Sequence, residues 1–494
     1  MLRYYRETRL ISKNILFISF SAQFLDLYQK PFAQIQNFCI FAVPKRRVRN
    51  CVFLNLKNMK FYNRDSELAD LQRIEQLSYN NAQMTFIVGR RRVGKTKLLL
   101  EATKNSPTLY FFVARKAEIL LCQDFLDEVQ TKLHLPIYGE ISTFSQLFRM
   151  LMEISKNQKF NLIIDEFQEF YNINSSVYSD MQHYWDVNKD ESKINLLLCG
   201  SIYSLMHKIF EDHREPFFGR ATQRIFLHPF SPSVLKKILS ENNPNYTSED
   251  LLALYTITGG VPKYVELFVD NKLLTHKEMI TFITQPNSPF ITEGKNLLIE
   301  EFGKEYTIYF SILAAIASGQ TSRTAIENLL QREISGYLTR LERDYALIKK
   351  RVPIFSKSET KNVKYFIEDQ FLRFWFRFIY KYSRYIESGA EELLAQLIER
   401  DYPTFSGYAL EQYFRAQFIE QKQYTKLGGY WDRKGENEID LIALNELNKT
   451  ATIAEIKRNK SNIDLAHLRR KSATLYPHLS EYSVEYKALS MEDM

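Results

Sequence analysis

Cysteine is scarce in this 494-residue chain: Cys39, Cys51, Cys122 and Cys199 are scattered, with no metal-ligand spacing. That excludes a disulfide-stapled secreted module and fits buried thiols in a reducing compartment. Long apolar runs are missing too. None reaches the roughly 18 residues that a membrane span needs. The nearest candidate, ILFISFSAQFL from Ile15, is stopped by Asp26 and lacks a small-residue cleavage site. A cytoplasmic protein without a membrane partner is the expectation. The third shortage is net charge. The chain totals +8, but residues 1–58 hold ten Lys/Arg against two Asp/Glu, so the rest is balanced at 56 of each. Overall charge gives no reason to assign nucleic-acid binding to the main body.

What is present reads as several globular domains, with 45% hydrophobic and 25% charged residues. Residues 1–58 show no sustained period and end in KRRVR (Lys45 to Arg49). They are expected to be a weakly structured basic leader upstream of a true start at Met59, or else a basic nucleic-acid arm. From Met59 the pattern changes: MKFYNRDSELADLQRIEQL predicts a helix capped by Asp65.

MTFIVGRRRVGKTKLLLEA is the strongest signal. A strand-like run meets Gly89, Arg90, Arg91, Arg92, Val93, Gly94, Lys95, Thr96 and Lys97, then a helical run of leucines. This is G-x-x-x-x-G-K-T in its strand–loop–helix context. Glycines let successive N–H groups curl around phosphates at a helix N-terminus. Lys95 is placed to reach the β- and γ-phosphates of ATP, and Thr96 to hold Mg2+. KFNLIIDEFQEF predicts a buried parallel strand ending in Asp165, a second metal residue, and Glu166, which would polarise the attacking water. KINLLLCGS ends in Ser201, whose hydroxyl is placed to sense the γ-phosphate or the attacking water, or else belongs to an ordinary strand-ending turn. Arg220 is either a charge-neutralising arginine, in cis or toward a neighbouring subunit, or a structural one at a strand start. Gly259 to Pro262 reads as a tight turn opening a helix, with Pro262 placed to rest against adenine.

Gly89–Thr96, Asp165-Glu166, Cys199–Ser201, Phe218–Arg220 and Gly259–Pro262 fall in the order of the archaeal-type AAA+/STAND ATP-binding proteins. The resemblance covers residues 59–285 and supports Pro262 near the nucleotide. Where that family often has a second small polar residue, this chain has Ile202.

From Tyr306, three helical patterns and a short β-like run predict a winged helix within residues 300–385. Its third helix carries Tyr337, Arg340 and Arg343, but Glu342 and Asp344 interleave, so a relay packed on the ATPase core is favoured over DNA contact. The aromatic run Phe371–Tyr380 is read as core.

The tail, residues 400–494, holds ENEIDLIAL and TATIAEIK. Acid-x-lysine triplets are common, and others end at Lys193, Lys295, Lys361 and Lys487. Here, however, period two puts Glu455 and Lys457 on one face, and Asp440 interrupts an apolar partner strand. A buried carboxylate needs a cation. Helix Glu411, strand Asp440, then Glu455-x-Lys457 resembles the PD-(D/E)xK nuclease superfamily, although the motif's proline is not evident before Asp440. That resemblance implies Mg2+ or Mn2+ on Glu411, Asp440 and Glu455, with Glu438 in reserve and Lys457 orienting water. The expected architecture is therefore α/β: a P-loop parallel-sheet core with helical lid, a winged-helix module, and a restriction-endonuclease-like domain. An ATP-gated nuclease on DNA and a non-cleaving ATP-controlled switch that holds DNA or a protein both remain open, as does self-association.

Overall fold

The computed structural model describes residues 59–494 apart from 304, 305, 358 and 433–436. The expectation for residues 1–58 lies outside the described residues. Five strands, β1 (Gln83–Val88), β2 (Thr108–Phe112), β3 (Phe160–Asp165), β4 (Ile194–Gly200) and β5 (Gln223–Phe226), form a sheet in the order β2-β3-β4-β1-β5. All its pairings are parallel. β1, β3 and β4 are buried at every position, which is why they read as continuous apolar runs. One face packs on helices Glu118–Leu133 and Phe144–Asn157, the other on the helix Lys95–Thr103.

The first helix spans Asp65–Leu77, but Asp65 is not its cap. Arg64 takes that position with φ 80° and gives no side-chain cap. Its guanidinium instead reaches Glu67 at 3.2 Å and the His228 carbonyl at 2.5 Å, and stacks on Phe230. The acid expected to cap is displaced because the chain turns one residue earlier.

Helices Pro232–Asn242, Ser248–Thr258, Pro262–Asp270 and His276–Thr284 follow the sheet, then the longer helix Pro289–Phe302. Helices Tyr306–Ala317, Arg323–Leu330 and Ser335–Arg343 lead into an antiparallel pair, β6 (Ile348–Arg351) and β7 (Lys364–Ile367). The aromatic segment is helical, Gln370–Phe374 continuing as a π-turn over Trp375–Tyr380. Phe371, Phe374, Trp375, Phe376 and Phe378 are buried. A 30-residue helix, Glu391–Glu420, precedes a mixed sheet of β8 (Lys426–Trp431), β9 (Glu438–Asn445), β10 (Thr450–Ile456) and β11 (Ser483–Leu489). β8–β9–β10 are antiparallel, and β11 joins β10 in parallel. Among the described residues no helix is long and apolar enough to cross a membrane.

Candidate nucleotide and acidic sites

The loop after β1 is shaped by what cannot fit. A Cβ on Gly89 would lie 2.6 Å from the Leu227 carbonyl oxygen, and Gly94 has φ +90°, a region that favours glycine. Arg92 also has positive φ, 70°. Val93 is buried, and Lys97 reaches Glu266 at 3.5 Å. Lys95 is only 7% exposed and donates to the Gly89 carbonyl at 2.8 Å and the Arg90 carbonyl at 3.1 Å. Burial pushes its ammonium below the ordinary lysine value, and the fields of Cys199, Glu166 and Asp165 oppose that.

Asp165 stands one strand away from the loop, across β4. Its Oδ2 accepts from Thr96 Oγ1 at 2.6 Å and Tyr110 OH at 2.8 Å. Its Oδ1 accepts from Cys199 Sγ at 3.0 Å and the Glu166 amide at 2.9 Å. Four donors suit an ionised carboxylate. Burial, then the Asp165 charge, pushes the Tyr110 hydroxyl and the Cys199 thiol up, so both stay donors. Glu166 sits in left-handed backbone at φ 56°. Its Oε2 accepts from Gln168 Nε2 at 2.6 Å and Ser201 Oγ at 2.7 Å. Ser201 and Glu166 are thus one unit.

Arg220 is held by Asp186 at 2.8 Å and by the Pro216 carbonyl at 2.7 Å. These partners, with the Phe218 carbonyl at 3.4 Å, lie outside the phosphate loop. Gly259 caps the helix Ser248–Thr258, and Pro262 opens the next one. A Cβ on Gly260 would lie 2.2 Å from the Phe230 carbonyl oxygen. Lys263 N donates to Arg92 O at 3.4 Å, so this turn adjoins the phosphate loop. The loop arginines reach downstream: Arg90 to the Ala346 carbonyl and Asp369, Arg92 to Glu293. A small cleft of about 40 Å³ is lined by Arg90, Arg91, Ser201, Val261, Glu301 and Asp369 among others. The β6–β7 module is therefore packed against the loop. On its third helix, Tyr337 lies under Arg332 and against Tyr309, Arg340 donates to Tyr309 OH at 3.4 Å, and Arg343 is exposed.

In the tail, β9 and β10 bring Asp440 and Glu455 together. Asp440 Oδ2 accepts from the Ile456 amide at 2.8 Å and lies 3.4 Å from Lys457 Nζ. Lys457 Nζ also lies 3.2 Å from Glu455 Oε1, and Lys471 lies 3.5 Å from the same oxygen. Glu455 Oε2 is buried with no hydrogen-bond partner. Burial opposes the charge on Lys457, but Asp440 and Glu455 outweigh it and hold that ammonium above its usual value. Burial pushes Asp440 up, and pushes Glu411 up to about 8 with Asp440 and Glu438 adding to the shift. Glu438 is engaged by Lys364 at 2.8 Å. Among the described residues no three His, Cys, Asp or Glu side chains form a ready metal cluster. The donor chemistry still suits a hard divalent cation: carboxylates with one orphaned buried oxygen, and an ammonium that can move aside.

Four groups near these sites escaped the sequence reading: Tyr110, Gln168, Glu301 and Arg458. Glu301 accepts from the Tyr203 amide at 3.1 Å and Ser204 Oγ at 3.2 Å, just past Ser201. Arg458 contacts Glu249 and donates to Ser406 Oγ at 2.6 Å. No local pattern marks either one.

Residues 61–268 match an ATPase domain found predominantly in archaea, and residues 375–470 match a domain of archaeal and bacterial proteins of unknown function. An uncharacterized protein of Methanocaldococcus jannaschii is 30% identical over 406 residues, 80% of this chain and 87% of its own length. The chain belongs to this archaeal-type ATPase family. A second uncharacterized protein of that organism is 36% identical over 66 residues, 13% of this chain and 64% of its own. The solved Walker-type ATPase of Pyrococcus abyssi superposes with a TM-score of 0.50 at 18% identity, covering 64% of this chain and 96% of that one. At that identity the likeness shows the fold: a P-loop-like parallel sheet followed by helices. The family thus implies ATP and Mg2+ in general terms.

Proposed function

We propose that this ATPase-family chain hydrolyses ATP and that its nucleotide state controls a metal-dependent, nuclease-like C-terminal domain acting on DNA. The observation that carries the first half is the 2.6 Å bond from Thr96 to Asp165 beside the buried Lys95. It brings the loop hydroxyl and the strand-end acid to one point, as shared ligands of the Mg2+ that accompanies ATP. Lys95 then turns from loop carbonyls to phosphate oxygens. Glu166, aligned by Gln168 and Ser201, accepts the proton of the attacking water. Pro262 borders the base, and Arg220 acts in trans or braces Asp186.

The second half draws on the helix Ser248–Thr258. Its first turn carries Glu249, bonded to Arg458, the residue after Lys457. Its far end is the Gly259–Gly260 turn beside the phosphate loop. At 11 residues it is a rod of about 16 Å. In the resemblance to PD-(D/E)xK enzymes, Asp440, Glu455 and Glu411 hold Mg2+ or Mn2+, which lowers the pKa of bound water. Lys457 positions that water. The second reading, a switch that binds without cutting, draws on Lys457 lying within 3.4 Å of both carboxylates.

The test pairs two assays on the full chain. ATP turnover should disappear in Lys95→Ala and Glu166→Gln; unchanged turnover in Lys95→Ala removes the ATPase reading. Labelled duplex and single-stranded DNA with Mg2+ or Mn2+, with and without ATP, should be cut by the wild type and not by Asp440→Ala or Lys457→Ala. Nucleotide-dependent binding without any cutting selects the switch.

A further inference from the structure

The long helix Glu391–Glu420 carries a polar stripe where an apolar one would pack. Tyr408, Glu411, Gln412 and Arg415 fall at i, i+3, i+4 and i+7, so they share one face. On that face the Tyr408 hydroxyl, Gln412 Nε2 and Arg415 Nε are all buried without a hydrogen-bond partner. Arg373, from the aromatic helix, lies with Cζ 4.3 Å from the Tyr408 ring centre, and its Nη1 is also buried and unpartnered. Arg351, from β6, lies 5.9 Å from the same ring and donates to Gln412 Oε1 at 2.6 Å. Arg415 Nη2 donates to the Asp440 carbonyl at 3.0 Å, so the cluster adjoins the acidic site.

Two guanidiniums, those of Arg351 and Arg373, thus lie over Tyr408, and Arg415 follows two turns along the same helix face, with Glu411 and Asp440 as carboxylates whose fields reach it. A structural arginine normally ends on a carboxylate or several carbonyls, because a buried cation without partners is costly. Arg373 stacks between the Phe405 and Tyr408 rings, but its one hydrogen bond is long, 3.4 Å to the Phe405 carbonyl. Several orphaned buried donors in one region call for a further acceptor. Its chemistry follows from theirs: guanidinium forks, a hydroxyl and an amide N–H all donate, and a tetrahedral oxyanion accepts from several directions at once.

We propose that Arg351, Arg373, Tyr408, Gln412 and Arg415 form a phosphate-oxyanion subsite beside Asp440 that holds a phosphate group of a nucleic-acid strand. The strand's identity rests on the nuclease-like reading above; the oxyanion subsite does not.

The experiment is calorimetric titration of the full chain with inorganic phosphate at constant ionic strength, in a Lys95→Ala background that silences the phosphate loop. One saturable site is expected, weakened about tenfold or more by Arg373→Met and by Tyr408→Phe, the scale of one charge-assisted hydrogen bond. Arg373→Met should also raise the phosphate-free melting temperature, since it removes a buried charge whose Nη1 has no acceptor; a merely structural arginine predicts a fall. No saturable binding, or unchanged affinity in both variants, overturns the subsite. A 5′-phosphorylated single strand should displace the phosphate. Equal displacement by its 5′-hydroxyl counterpart assigns a backbone diester, and weaker displacement assigns the terminal phosphate. Displacement by neither overturns the strand assignment. Asp440→Ala should keep phosphate binding. If the Lys95→Ala chain binds phosphate but the wild type cuts nothing, the nuclease reading fails alone; if the wild type cuts but the Lys95→Ala chain binds none, the subsite fails alone.

Discussion

Gly200 is crowded by side chains of the nucleotide site. A Cβ there would fall 2.0 Å from Gln168 Oε1, and Gln168 is the residue that holds Glu166. Gly200→Ala should therefore push Gln168 off Glu166 while leaving Lys95 and Thr96 in place. The expected result is a fall in the turnover number of about 10²-fold, within the range for a general base, with ATP affinity little changed. Equilibrium nucleotide binding beside steady-state turnover separates the two, and a loss of affinity alone would contradict the argument. A second residue-scale case lies at the other end of the sheet. Glu75 and Lys159 pair at 2.5 Å with side chains 10% and 8% exposed, and Asn161 adds a bond at 3.0 Å. Burial raises the Glu75 pKa, but bonds from Lys159, Ser106 and Asn161 outweigh it, so the folded value lies below the ordinary one. The stabilisation is then fully present above about pH 4.3, the unfolded value, and is lost as pH falls through the lower folded value. Lys159→Met should cost about 3–5 kcal/mol at pH 7 by stranding a buried carboxylate. Urea midpoints should show that gap closing in acid; a gap that widens in acid would contradict this pairing.

At the scale of elements, the phosphate loop and the β3 acid were legible because the chemistry is local: glycine where φ is positive, an apolar run where both sheet faces are covered. The acidic tail was legible for a similar reason, since period two brings Glu455 and Lys457 to one side and β9 supplies Asp440. What stayed hidden involves elements far apart in the chain. Glu249 and Arg458 are 209 residues apart, and Arg351, Arg373 and Arg415 come from a strand and two helices. Arg220 illustrates the converse: its motif position suggests phosphate, while its fork is spent on Asp186. The Glu249–Arg458 pair gives an element-scale prediction. Glu249→Gln keeps the helix and the Thr247 capping box, whose partner is Asp250. ATP turnover should stay within about twofold, as surface changes usually allow. The ATP dependence of DNA cutting or binding by the tail should disappear. Full ATP dependence in that variant would mean the signal travels by another route, such as Arg90 to the Ala346 carbonyl.

Across the whole molecule, the hydrophobic core ignores the boundaries that motifs suggest. One continuous cluster runs from Leu235 and Tyr255 in the helices that follow the parallel sheet through Phe310 and Trp375 to Tyr402 and Tyr413, then to Leu441 and Ile456 on the inner face of the C-terminal sheet. The long helix is the hinge of that continuity. It buries Leu394, Ile398, Tyr402, Ala409, Leu410, Tyr413 and Phe414, and two of these rings meet side chains of the helices after the parallel sheet: Tyr413 against Tyr255 at 5.5 Å and Tyr402 against His276 at 4.4 Å. A fragment of residues 400–494 would expose this face, far more than scattered surface apolar residues, and such patches drive association. Each large side chain moved to water forfeits about 1.5–3 kcal/mol, against a typical domain stability of about 5–15 kcal/mol. Losing three or four such burials, about 5–12 kcal/mol, is comparable to that whole stability. The isolated tail should therefore aggregate or lack cooperative melting, although its sheet has its own second cluster around Ile439, Ile453 and Leu468. Residues 230–494, which keep those helices, should instead melt in one transition. Calorimetry on both fragments decides: a sharp, reversible transition for 400–494 alone would mean that the outer cluster suffices and that the shared core is dispensable to the tail.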